Sequence, residues 1–165
     1  MPKPRMHRNP RRGGALLEFT LCAVPLIFVI TSIASLGIVM WNYHTLAEAV
    51  NYTAREASAH GADCVGKSCA WTAGTAATLL ASKAIGIPTG SLNVTLTSAG
   101  GTSTCTPITS CTSSATAWPT FSASQAGTTD VTVTASYRPP IFARMRSVVF
   151  SGVTLSATST QMVVY

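Results

Sequence analysis

Arg11-Arg12-Gly13-Gly14-Ala15-Leu16-Leu17-Glu18-Phe19 opens an uncharged apolar run that lasts from Phe19 to Trp41, and its reading decides the fold. The run has 23 residues. As a helix it reaches roughly 35 Å at 1.5 Å per residue, enough for a hydrocarbon core of about 30 Å. A secretory signal has a shorter apolar core, of about 7–15 residues, before a small-residue cleavage site. Ala34-Ser35-Leu36 mimics such a site only loosely. A single-pass anchor is the expected element, with Leu21, Pro25 and Trp41 as membrane-anchor residues and Trp41 and Tyr43 as the far aromatic belt. Pro25 interrupts the helical pattern inside lipid, where neighbouring groups can re-satisfy the carbonyl it frees.

Charge supports that topology. Lys3, Arg5, Arg8, Arg11 and Arg12 precede Gly13, so five of the eleven Lys and Arg, and most of the net charge of +6, lie in the first twelve residues. Basic groups confined to an unstructured leader do not make a nucleic-acid surface. They hold the N-terminus in the cytoplasm by the positive-inside rule and send the C-terminus across.

Glu18 is the anomaly. A carboxylate at the centre of a spanning helix costs roughly 2.5–3.5 kcal/mol on insertion scales, and less near the ends. Its natural partner is an amine made by proteolysis. A cut between Gly13 and Gly14 puts a new N-terminus one helical turn before Glu18, at i and i+4.

Beyond the membrane run, Tyr43, Leu46, Ala47, Val50, Ala54 and Ala57 recur at three- and four-residue steps, one apolar stripe of an amphipathic helix. Glu48, Asn51, Arg55 and Ser58 are left for the other side. The whole helix, Ala15 to His60, is expected to end at a Gly61 cap. A short helix follows over Ala70–Ala84. Period-two strands follow at Ser91–Thr97 and Asp130–Tyr137, with one or two more from Val148–Phe150 and Val153–Tyr165. Residues 98–128, rich in Ser, Thr, Ala and Gly, read as a long loop. The expected fold is α+β: a long transmembrane and amphipathic helix packed on a small antiparallel sheet, with one short extra helix. The expected segments are a cleaved basic leader (1–13), a membrane helix (14–42) and an extracytoplasmic domain (43–165).

Of five cysteines, Cys22 lies in the apolar run and reads as a small packing residue. The others form two close pairs, Cys64 with Cys69 and Cys105 with Cys111, which in an oxidising compartment read as disulfides. Four cysteines allow three connectivities. The local pairs are favoured, and a four-thiolate zinc site is the rival, though neither pair has C-x2-C spacing.

Catalytic constellations are missing. His44 falls at the membrane interface and His60 at a helix end; Glu56 and His60, at i and i+4, could share a metal, but an exposed polar pair is the simpler account. There is no Ser/His/Asp or Cys/His arrangement and no phosphate-binding glycine loop. Neither an enzyme nor a cofactor is expected. The triplets Asn51-Tyr52-Thr53 and Asn93-Val94-Thr95 match the glycosylation sequon by three letters only.

The leader ending in glycine, the Glu18-Phe19 pair, the stretch Leu21-Cys22-Ala23-Val24-Pro25-Leu26-Ile27 and the helix Leu46–Ala57 resemble the TadE-like pseudopilins of tight-adherence (Flp) pilus systems. The resemblance covers about residues 11–60. It implies a prepilin peptidase that cuts after Gly13, leaving Gly14 as the mature N-terminus. It also implies inner-membrane residence, other pilin and pseudopilin subunits and an assembly platform as partners, and no nucleic acid. Glu18 becomes the counter-ion of the Gly14 ammonium, with Phe19 beside it. Major Flp pilins are essentially a processed helix, so an extra domain of over a hundred residues implies a minor subunit in adhesion or secretion. The alternatives are a signal-anchored envelope protein whose β-domain binds a ligand, and a β-domain released by signal peptidase.

Overall fold

The computed structural model describes residues 12–60, 71–121, 129–139 and 153–163. Helix α1 spans Arg12–Ala59 with Pro25 inside it, and α2 spans Ala73–Lys83. The strands are β1 (Leu92–Ser98), β2 (Gly101–Cys105), β3 (Asp130–Tyr137) and β4 (Leu155–Met162). They form one sheet in the order β2-β1-β3-β4, antiparallel at every step. The fold is α+β, as expected. The chain divides into two compact units, Met1–Ile38 and Val39–Tyr165.

In the second unit the strand alternation does what period-two patterning requires. Leu92, Val94 and Leu96 of β1 and Val131, Val133, Ala135 and Tyr137 of β3 are buried, while Thr95, Thr97, Thr132 and Thr134 face the other way. On that outer side Thr132 and Thr134 meet Thr160 and Thr158 of β4, hydroxyl to hydroxyl, at 3.0 and 3.1 Å. Leu46, Val50 and Ala54 of α1, Ala76, Ala77 and Leu80 of α2 and the inner residues of the sheet share one buried cluster. Thr72 caps α2 by accepting from the Thr75 amide at 3.1 Å, which satisfies one of the orphan donors of a helix N-terminus.

Three expectations shift. The inward stripe of α1 is rotated: Tyr43 is 41% exposed, whereas Asn42, Ala49 and Thr53 are buried beside Leu46, Val50, Ala54 and Ala57. Thr53 tolerates burial because its hydroxyl donates to the Ala49 carbonyl at 2.8 Å. The stretch read as a loop from 98 to 128 contains β2, which pairs with β1 from Val94↔Cys105 to Ser98↔Gly101. Its sequence is almost wholly small and polar, and only Cys105 of its five residues is buried, so it carries no alternating signal. The turn before it needs glycine. The Gly100 amide donates to the Thr120 carbonyl at 2.8 Å, and a Cβ at Gly100 would collide with Thr120. Gly101 adopts φ +151, a region that side chains disfavour. Finally, α1 ends at Ala59 and α2 starts at Ala73, short of the expected limits. The Gly61 cap, the strand at Val148–Phe150 and the expected bridge between Cys64 and Cys69 lie outside the described residues.

Candidate processing and assembly site

The described part of the N-terminal unit, from Arg12 to Ile38, is helix with an apolar surface. Leu16, Leu17, Phe19, Leu21, Val24, Leu26, Ile27 and Phe28 are each at least 60% exposed; Trp41, in the second unit, is 64% exposed. The helix from Gly14 is long and apolar enough to cross a membrane, and none of its most apolar window is buried within the chain. Its hydroxyls look after themselves. Thr20 donates to the carbonyls of Leu16 and Leu17 (3.1 and 3.0 Å), Thr31 to Ile27 and Phe28, Ser32 to Phe28 and Ser35 to Thr31. Such back-bonding removes the need for an outside partner in lipid. Pro25 brings no N–H, so the Leu21 carbonyl one turn earlier loses its usual donor.

Glu18 stands out against this background. It is exposed on the helix, between Leu17 and Phe19. Gly14 lies one turn before it, inside α1. A Cβ at Gly14 would meet nothing within 4 Å, and its φ is not in the left-handed region. A glycine in a helix interior costs roughly 0.5–1 kcal/mol relative to alanine, and at Gly14 no packing contact among the described residues offsets it. Gly37 is open in the same way, and in a lipid-facing helix it permits close approach of another helix.

A family model described as TadE-like protein matches residues 13–55. Over this segment the chain is similar to TadE-like proteins. The match begins at Gly13 and takes in Gly14, Glu18, Phe19, Leu21, Pro25 and Trp41, then the part of α1 that enters the core. No curated protein and no solved structure matches the chain. The TadE-like helix and the four-stranded domain therefore rest on different supports: the first on family and structure, the second on structure alone.

The structure brings one of the two expected cysteine pairs together. Cys105, at the end of β2, and Cys111, just after a 3-10 turn at Ile108–Ser110, form a disulfide with Cα atoms 5.6 Å apart. Cys64 and Cys69 both fall in 61–70, outside the described residues, so their pairing stays an expectation from the sequence. Cys22 is free and exposed on α1. The His60 Nδ1 lies 2.8 Å from the Glu56 carbonyl oxygen, and the ring stacks on Trp71 at 5.1 Å. Among the described residues no three His, Cys, Asp or Glu side chains gather into a metal site. A contact invisible in the sequence is Lys83, at the end of α2, whose Nζ sits 4.6 Å from the centre of the Tyr52 ring. Only the tertiary fold puts residues 31 positions apart together in this way.

Proposed function

We propose that this TadE-like chain is a minor pseudopilin: a non-enzymatic, single-pass subunit, processed by a prepilin peptidase and used to assemble a tight-adherence pilus. The observation that carries the reading is Glu18, an exposed carboxylate on an apolar helix, one turn after a glycine that the fold itself does not require. Cleavage after Gly13 removes the basic leader, whose charges are incompatible with burial among other helices. The freed Gly14 ammonium is then a charge in need of a partner, and the Glu18 carboxylate supplies it. A carboxylate in the first turn also suits the positive end of the helix dipole. Removing one member of a buried pair leaves the other uncompensated, at a cost of about 3–5 kcal/mol.

In this account the basic leader stays on the cytoplasmic face, the apolar helix spans the inner membrane, and residues 43–165 lie on the far side. The partners are the peptidase, other pilin and pseudopilin subunits, and the membrane platform that extracts them. The test is the Glu18→Ala variant, expressed in cells that carry the pilus system. It should insert and be cleaved normally, yet be lost from sheared pili. Normal incorporation of that variant contradicts the counter-ion role. An anchored protein that is never cleaved or incorporated, with or without the substitution, points instead to a ligand-binding envelope protein.

A further inference from the structure

The side of α1 that faces away from the core carries opposite charges in a line. Glu48 and Arg55 are both exposed and, with His44, Asn51 and Tyr52, line a groove of about 460 Å³. Seven residues separate the two charges. At 3.6 residues per turn they fall on nearly the same line of the helix, about 10.5 Å apart along its axis. Ion pairs within a helix form at three- and four-residue spacing, not at seven, so the two do not complete each other within one chain. Lys83 adds a second cation beside the groove, its Nζ 4.6 Å from the centre of the Tyr52 ring. The other charged side chains in the described part of residues 39–163 are Glu56, next to Arg55 in sequence and half-buried, Asp130 and Arg138. On the exposed line of α1, Glu48 therefore marks one end of the groove and Arg55 the other.

We infer that this face docks a second copy of the chain, with Glu48 of one copy against Arg55 of the next. The inference rests on the pilus-subunit reading and deepens it. Glu48 and Arg55, one charge of each sign on one line of α1, can complement a second copy in two ways. Antiparallel helices would pair Glu48 with Arg55 twice, about a two-fold axis near Asn51 and Tyr52, and close as a dimer. Parallel helices must slide by seven residues, pair the charges once, and leave a free Glu48 at one end and a free Arg55 at the other. Copies that enter the membrane by the same N-terminal helix are parallel, so the second arrangement holds. It is heterologous and open-ended, the kind of contact that grows rings or filaments rather than dimers. An offset of about 10.5 Å also strains two helices held in one bilayer, whereas extracted subunits accept it freely. Exposed ion pairs contribute little affinity. Their role is to set register and reject wrong partners, while the apolar run from Phe19 to Trp41 supplies the adhesion.

The test is disulfide trapping of the full chain in cells that carry the pilus system, in a Cys22→Ala background that by itself gives no cross-link. His44→Cys with Asn51→Cys in one chain, which have the same seven-residue spacing on the groove and leave Glu48 and Arg55 in place, should give a ladder of trimers and longer species on oxidation. Each single cysteine should give no more than a background-level band. A product that stops at dimer, a dimer from either single variant, or no cross-link at all overturns the inference. Charge reversal is the second measurement. Glu48→Arg and Arg55→Glu should each reduce the subunit in sheared pili at least tenfold, and the double reversal should restore it. Failure of the double variant to recover, while wild type is incorporated, overturns the pairing. The mature N-terminus is read from the same cells. Processing at Gly14 with no ladder sinks only the docking face, whereas an unprocessed chain sinks the reading beneath it.

Discussion

Gly74 lies against Ser114: its amide donates to the Ser114 carbonyl at 3.2 Å, and a Cβ at Gly74 would stand 2.5 Å from that oxygen. The obstacle is backbone, with the Thr112 and Cys111 carbonyls close behind it at 3.0 and 3.1 Å. This glycine therefore differs in kind from Gly14, which has open space around it. Gly74→Ala should lower stability by about 1–3 kcal/mol through overpacking, despite the helix propensity gained in α2. Denaturant midpoints in detergent check it; an unchanged or raised midpoint contradicts the close approach.

The loop that Gly74 touches is held from its other side by Cys105–Cys111, a bridge between residues six apart in sequence. Closing so short a loop restricts the unfolded chain only modestly, by about 2–3 kcal/mol on the chain-entropy scale. Replacing both cysteines by serine or alanine should cost that much and leave the sheet intact, as circular dichroism and a denaturation curve would report. Loss of the whole fold would mean that the bridge does more than close this loop.

Tyr137 gives the domain an alkaline limit. It is buried at the end of β3, and burial raises its phenol above the ordinary value of 10.0. Below that ordinary value both folded and unfolded states hold a neutral phenol, so its contribution is complete. As pH rises through the raised folded value the unfolded chain ionises first, and stability is lost. Tyr137→Phe should show a shallower fall in denaturation midpoint between about pH 9 and 11. An identical fall in both proteins contradicts the assignment.

Much of this architecture is legible in the sequence because its long elements are periodic. The apolar run of α1 has no charge to confuse it, and β3 emerges over Asp130–Tyr137 as its alternation predicts. β2 hides because its side chains are small, polar and at the sheet edge; the Gly100-Gly101 step is the one available hairpin signal. Tyr43 misleads because an aromatic is expected inward, yet it is 41% exposed while the smaller Ala49 and Thr53 are buried. Which cysteines bond depends on where a turn folds back onto β2, and spacing alone leaves three connectivities open. The bond between Cys105 and Cys111 is one of the two local pairs, and Cys64 and Cys69 lie outside the described residues. The candidate site is the reverse case. Gly14 and Glu18 are close in sequence, one turn apart, so the local pattern carries them, whereas the Lys83–Tyr52 contact needs the tertiary fold.

Gly13 should be the residue that the peptidase reads. A bulky residue such as Gly13→Val should leave the chain at full length with its leader attached, without altering the far domain. Gel mobility beside a leaderless standard would show it, and normal processing of that variant would move the cut elsewhere.

The N-terminal residue of the wild-type chain, recovered from the membrane of cells with an active prepilin peptidase, distinguishes a processed subunit from an anchored one. A mature chain beginning at Gly14, one helical turn before Glu18, is the expected result. An intact leader, or a terminus created beyond Ala34, would contradict it.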